Sequence, residues 1–66
     1  MAKEKSNYPE YAEHAARLER VGYTKDAAFA WQVAANYAVM PENRHWAESR
    51  SQFCEKWAWR YEKEAA

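Results

Sequence analysis

From Tyr23 to Met40 the chain reads YTKDAAFAWQVAANYAVM, and its apolar positions fall into two helical lines. Ala27, Trp31, Ala34 and Ala38 recur at i, i+4, i+7 and i+11, the spacing of one helix face. Phe29, Val33, Tyr37 and Met40 form a second line at similar spacing. The segment has no interior Gly or Pro and is rich in alanine, the best helix former. It is predicted as a helix over 24–40, with Thr24 as N-cap and Asp26 suiting the dipole of the first turn. A helix apolar on two sides must be covered on two sides, which makes this one the middle layer of a small helical domain. Its alanines let a neighbour approach closely, and Trp31 fills the space they leave.

The flanking patterns supply the two covers. Residues 1–7 are polar and read as a flexible tail. Tyr8, Tyr11, Ala15 and Leu18, with Ala12 beside them, predict a first helix over 9–21 that has Pro9 in its first turn. Gly22 stands where a helix end needs a left-handed residue. The short Gly22-Tyr23 connection forces an antiparallel hairpin. Pro41 ends the second helix, with Asn43 as an alternative cap for the third, predicted over 42–61. That helix carries Trp46, Arg50, Phe53, Trp57 and Tyr61 on one stripe, flanked by Ala47, Cys54 and Ala58. Residues 62–66 read as a polar tail. The expected fold is all-α, a compact three-helix domain. Its first two helices resemble one tetratricopeptide-type hairpin, through Tyr11, Ala15 and Leu18, then Gly22 at the turn, then Ala27, Trp31 and Ala34. Tyr11, Leu18, Trp31, Ala34, Trp46, Phe53 and Trp57 are the expected scaffold core. Arg50 is the exception on its stripe and requires a carboxylate or a snorkelling path.

Length sharpens this picture. A chain of 66 residues buries only about 60% of its unfolded surface and usually needs a staple or a partner. Cys54 is the sole cysteine, so no internal disulfide can form, and a reduced, cytoplasmic setting is expected. Four Trp, five Tyr and two Phe offer large area per residue, either for a core or for a dimer interface, and a homo-oligomer is expected. Phe29 and Trp59 fall outside the best core lines; with Tyr37 they are the candidate partner-binding residues.

Charge and motifs narrow the function classes. Ten basic residues balance ten acidic ones, with no basic block. Direct DNA binding, which draws on clustered Lys and Arg, is therefore not favoured. The uncharged run from Ala27 to Met40 is too short to span a bilayer, and MAKEKSNYPE lacks the apolar core of a secretory signal. One glycine cannot make a phosphate loop. His14, His45 and Cys54 do not have zinc-site spacing, and Ser49 and Ser51 read as surface positions. Cys54 reads as a small buried hydrophobe. No catalytic role, metal or cofactor is expected.

Three pieces of the chain together resemble the AraC negative regulator family of small bacterial and phage proteins. They are Ala16-x-Leu18-Glu19 before Gly22, then Ala27-Ala28 followed by Trp31-x-x-Ala34, then Asn43-x-x-Trp46-Ala47-x-x-Arg50-x-x-Phe53-Cys54. The resemblance covers about residues 11 to 57, and the extension WRYEKEAA, with Trp59 and Tyr61, runs past it. It implies a small helical regulator that binds activators of the AraC/XylS type and lowers their activity, with nucleoid-associated proteins as further partners. Through the leucine–glutamate and alanine–tryptophan pieces the chain is more distantly similar to PerC-type regulators. That likeness implies a direct DNA-binding activator, for which Arg17, Arg20, Lys25 and Arg44 would be the basic candidates. A structural oligomerisation module is the third reading.

Overall fold

Three helices in chain order form the molecule: α1 (Tyr8–Arg20), α2 (Thr24–Tyr37) and α3 (Pro41–Ala65). The structure, a computed structural model, describes residues 5–65, with side chains through residue 60. Of the tail expected over 1–7, residues 1–4 lie outside that description, as does the side chain of the stripe position Tyr61. The fold is the all-α, three-helix arrangement expected. α2 is its middle layer, packed by α1 on one side and by α3 on the other, while α1 and α3 have little direct contact.

Each boundary has a local cause. α1 begins with Pro9 in its first turn and Glu10 beside it, and the Tyr8 amide donates to Ser6 Oγ at 3.1 Å. It ends in a Schellman turn: the Tyr23 amide reaches back to the Leu18 carbonyl at 2.9 Å and the Gly22 amide to that of Glu19 at 3.2 Å. Gly22 sits at φ 92°, the left-handed position the sequence reserved for it. α2 stops at Tyr37, three residues short of the expected 40. Ala38 turns extended at ψ 127°; Pro41 has no N–H to offer the Tyr37 carbonyl four residues back and its ring would clash there, so the helix does not run through it. Arg44 then satisfies the exposed end of α2 by donating Nη2 to the Ala38 carbonyl at 3.1 Å.

Two expectations about α2 and α3 are corrected here. Thr24 is the first helical residue of α2, and Tyr23 occupies the cap position without a side-chain cap bond. The Thr24 hydroxyl instead donates to the Gly22 carbonyl at 3.3 Å. α3 starts at Pro41 and continues to Ala65, so 62–65 extend the helix rather than forming a polar tail.

The core is built mainly from small residues. Ala15, Ala27, Ala30, Ala34, Ala35, Ala38 and Ala47 are buried, together with Tyr8, Trp31 and Cys54. Tyr11, Leu18, Ala12, Ala16 and Ala28 are partly buried against them. The stripe of α3 that faces α2 is Ala47, Ser51, Cys54 and Ala58, spaced by four, three and four. Trp46, Phe53 and Trp57, the expected scaffold of α3, lie one residue earlier at each step and remain 55%, 46% and 36% exposed. The reason is steric. α2 offers alanines, and a close helix–helix approach admits small residues at the seam and pushes the rings to its flank. Ser51 corrects the surface reading as well: it is buried, and its hydroxyl donates to the Ala28 carbonyl at 2.8 Å.

α3, at 25 residues, is about 37 Å long. α1 and α2, at 13 and 14 residues, reach only about 20 Å. α3 therefore outruns its neighbours, and the radius of gyration is 12.3 Å, against about 11 Å for a compact chain of this length. Ala34, fully buried between the helices, tests the tightness of the seam. Ala34→Leu is expected to lower stability by about 2 kcal/mol through overpacking, read as a lower urea midpoint with an unchanged slope.

Candidate functional site

The best-connected group of side chains lies where all three helices meet. Glu19, in the last turn of α1, projects its carboxylate toward α2 and α3. Its Oε1 accepts from Trp31 Nε1 of α2 at 2.7 Å, from Arg50 Nε of α3 at 3.2 Å and from the Cys54 thiol at 3.2 Å. Its Oε2 takes the Arg50 Nη2 donor, so the guanidinium grips the carboxylate through two nitrogens. Arg50 was the residue that required a carboxylate, and Glu19 supplies it. The guanidinium also lies over the Phe53 ring at 4.6 Å and near the Trp46 ring at 5.8 Å.

The electrostatics follow from this packing. Burial alone would raise the Glu19 pKa. The hydrogen bonds from Arg50, Cys54 and Trp31, with the Arg50 charge, outweigh it and hold the carboxyl below its ordinary value. The hydrogen bond to Glu19 raises Arg50 further, against a smaller opposing effect of burial. Burial first, and then the hydrogen bond and charge of Glu19, push the Cys54 thiol up to about 12. A thiol so placed is a hydrogen-bond donor at neutral pH and a poor nucleophile. Among the described residues no group of three His, Cys, Asp or Glu side chains is placed to hold a metal ion, and no helix is long and apolar enough to cross a membrane. The cluster binds the fold together rather than offering a reactive atom.

The surface candidates separate onto different faces. Phe29 of α2 and Trp59 of α3 are 71% and 62% exposed, and both edge one groove of about 400 Å³ between these helices. Ala28, Ser51 and Ala58 also line this groove, and Lys25 and Glu55 bring one charge of each sign to it. Tyr37 does not join them. Its ring stacks on Tyr11 at a centroid distance of 4.4 Å, and the hydrogen bond of the Tyr11 phenol to Tyr37, with the charge of Tyr37, raises the Tyr11 pKa. The third aromatic group, Trp46, Phe53 and Trp57, flanks the small-residue stripe of α3, and Phe53 and Trp57 share a hollow with Lys56, Trp59 and Arg60 on the outer side of that helix. Phe53 and Trp57 touch there with ring centroids 5.9 Å apart. Of the basic candidates, Arg17 pairs with Glu13 at 3.5 Å and Arg44 is engaged at the end of α2.

In the sequence Glu19 stands out only as part of a motif, and Ser51 reads as a surface position. The signal for Ser51 was the small-residue spacing from Ala47 to Ala58. Glu19 was the sole carboxylate of the motif pieces, and Arg50 their sole cation.

No family model matches the chain, and no solved structure matches it significantly. The chain is similar to an uncharacterised protein of the Mu-like prophage FluMu region of Haemophilus influenzae. The two are 37% identical over 51 residues, which are 77% of this chain and 68% of that protein.

Glu19→Gln keeps the shape but removes the charge, and is expected to cost about 2 kcal/mol at neutral pH. A carboxyl whose folded pKa is depressed stabilises the fold above its unfolded value, here 4.5, and the contribution is lost as pH falls through the folded value. The stability gap between wild type and Glu19→Gln should therefore narrow as urea titrations move from pH 7 to below 4.5. Alkylation of Cys54 by iodoacetamide at pH 8 should be far slower in the native protein than in urea. Native and unfolded chains reacting alike would refute its enclosure.

Proposed function

The chain belongs to the family of this FluMu-region prophage protein, and we propose, from its surface and its motif, that it is a helical interaction protein that antagonises a transcription activator of the AraC/XylS type. The observation that carries the proposal is the groove between α2 and α3, where Phe29 and Trp59 stand exposed on two different helices. Exposed aromatic side chains beside an apolar floor are the usual anchors of a protein–protein contact. An amphipathic helix of the activator laid into that groove would bury both rings and could meet Lys25 and Glu55 with charges of opposite sign.

Two further facts support the reading. All three pieces of the motif on which the family resemblance rests meet here, as Trp31 from the second and Arg50 and Cys54 from the third converge on the Glu19 carboxylate of the first. The spacing of the motif thus has a physical basis in this fold. The prophage origin of the relative also accords with a family of bacterial and phage regulators. Mechanistically, the antagonist occupies a surface the activator needs for pairing its DNA-binding halves, and the activator loses the avidity that two halves provide. Competition for DNA has less support, because the charge is balanced and Arg17 and Arg44 are already engaged.

The experiment is fluorescence anisotropy of labelled promoter DNA with a purified AraC-type activator from the same cell. Titration of this protein should release the activator from DNA and leave the anisotropy of DNA alone unchanged. Phe29→Ala with Trp59→Ala should weaken the release at least tenfold, with helicity retained by circular dichroism. Undiminished release by the double variant would remove the groove from the mechanism. A rise in anisotropy without the activator would replace antagonism with direct DNA binding.

A further inference from the structure

The flank of α3 that carries Trp46, Arg50, Phe53 and Trp57 has no part in the groove of Phe29, Ser51 and Trp59. These positions are spaced by four, three and four, and Arg60 continues the series. That is the alternation of a coiled-coil seam, and it runs beside the stripe that packs on α2. α3 thus carries two seams side by side, a small-residue seam inside the molecule and an aromatic one at its surface.

We propose that the aromatic seam is the interface of a homodimer, in which α3 of a second copy packs antiparallel against it. Three observations select a second copy as the occupant. First, the interior gives a lone chain little apolar burial: the buried set is mostly alanine, and Trp31 alone of the four tryptophans is buried. Domains near this size already sit at the margin. Second, the exposed area is in excess. A compact monomer of 7.8 kDa exposes about 4,400 Å², whereas this chain exposes 5258 Å². Part of this surplus, on the order of 900 Å², belongs to α3 where it outruns α1 and α2, and the exposed rings of Trp46, Phe53 and Trp57 give that helix uncovered apolar area.

Third, the seam is complementary to itself in one orientation. From Trp46 to Trp57 it spans about 16 Å along the helix, with Arg50 and Phe53 near its midpoint. A parallel pair would set the two Arg50 guanidinium groups against each other. An antiparallel pair sets each guanidinium against Phe53 of the other copy, extending a cation–π contact that already exists within the chain at 4.6 Å. It also sets Trp46 against Trp57 of the other copy. Glu19 meanwhile neutralises Arg50 from within each protomer, which lowers the cost of enclosing that charge. The dimer leaves Phe29 outside the interface, while Trp59 adjoins its edge through a hollow shared with Phe53 and Trp57, and the dimer needs nothing from the activator reading.

Sedimentation equilibrium of the full chain between about 1 and 200 µM tests this, a range that brackets ordinary dimer affinities. The expected mass is twice 7.8 kDa, and the thermal midpoint should rise with concentration. Phe53→Lys should lower the mass to that of one chain or, if the monomer is too weak to stand alone, abolish the fold. Phe29→Ala, away from the seam, should leave the dimer intact. A wild-type mass of 7.8 kDa throughout, with a concentration-independent midpoint, overturns the proposal, as does a dimer that survives Phe53→Lys. Orientation is read by mixing Ser49→Cys and Lys56→Cys chains under oxidation. An antiparallel seam gives mainly the mixed disulfide, and a predominance of symmetric disulfides would exclude it.

Discussion

A single carboxylate ties the three helices to one another. α1 and α3 each lie against α2 but scarcely against each other, so apolar packing alone would leave their relative positions loosely determined. Glu19 removes that freedom. It takes an indole donor from α2, and a guanidinium and a thiol from α3. These donors are satisfied only if all three helices hold one register, because an enclosed polar group without its partner is costly. In a domain whose apolar interior is largely alanine, that directional constraint supplies specificity which bulkier side chains would otherwise provide.

The same node explains why the aromatic flank of α3 is where it is. Arg50 turns inward to Glu19, and its stem draws the adjoining rings of Phe53 and Trp46 alongside its charged end. Half-exposed rings next to a neutralised guanidinium form a surface with both apolar area and a directional electrostatic feature. The groove around Phe29 and Trp59 is of another kind, with a small-residue floor and one charge of each sign beside it. The molecule therefore presents two chemically distinct surfaces along α3, with Trp59 bordering both.

Much of the fold was legible in the sequence because its punctuation is unambiguous. Gly22 could hardly stand anywhere but in a left-handed turn, and Pro41 could only end one helix and begin another. The double apolar pattern of α2 required two neighbours, and α1 and α3 provide them. The demand of Arg50 for a carboxylate was legible too, although its partner 31 positions earlier was not. What the pattern concealed was which stripe of α3 turns inward. Hydrophobicity favours Trp46, Phe53 and Trp57 over Ala47, Ser51, Cys54 and Ala58, and the inward set differs from the outward one by a single residue step. The choice is made by α2, whose alanine surface accepts a close neighbour and has no depth for rings. Properties of α3 alone could not reveal that. The exposure of Phe29 and Trp59 was legible, since both stood off the core lines. The commitment of Tyr37 to Tyr11 was not, since it depends on how α1 and α2 come together.

The alanine seam has one more consequence. Where large residues interlock, a protein can exchange one shape for another and repack around the difference. Between α2 and its neighbours there is almost no shape to exchange: the fit depends on side-chain volume being absent, and every substitution except glycine adds some. Evolutionary drift at these positions is thus blocked in one direction by bulk and in the other by the helix penalty of glycine. Diversification is channelled onto the outer flanks of α2 and α3, the surfaces on which a small protein can change what it recognises without disturbing how it folds.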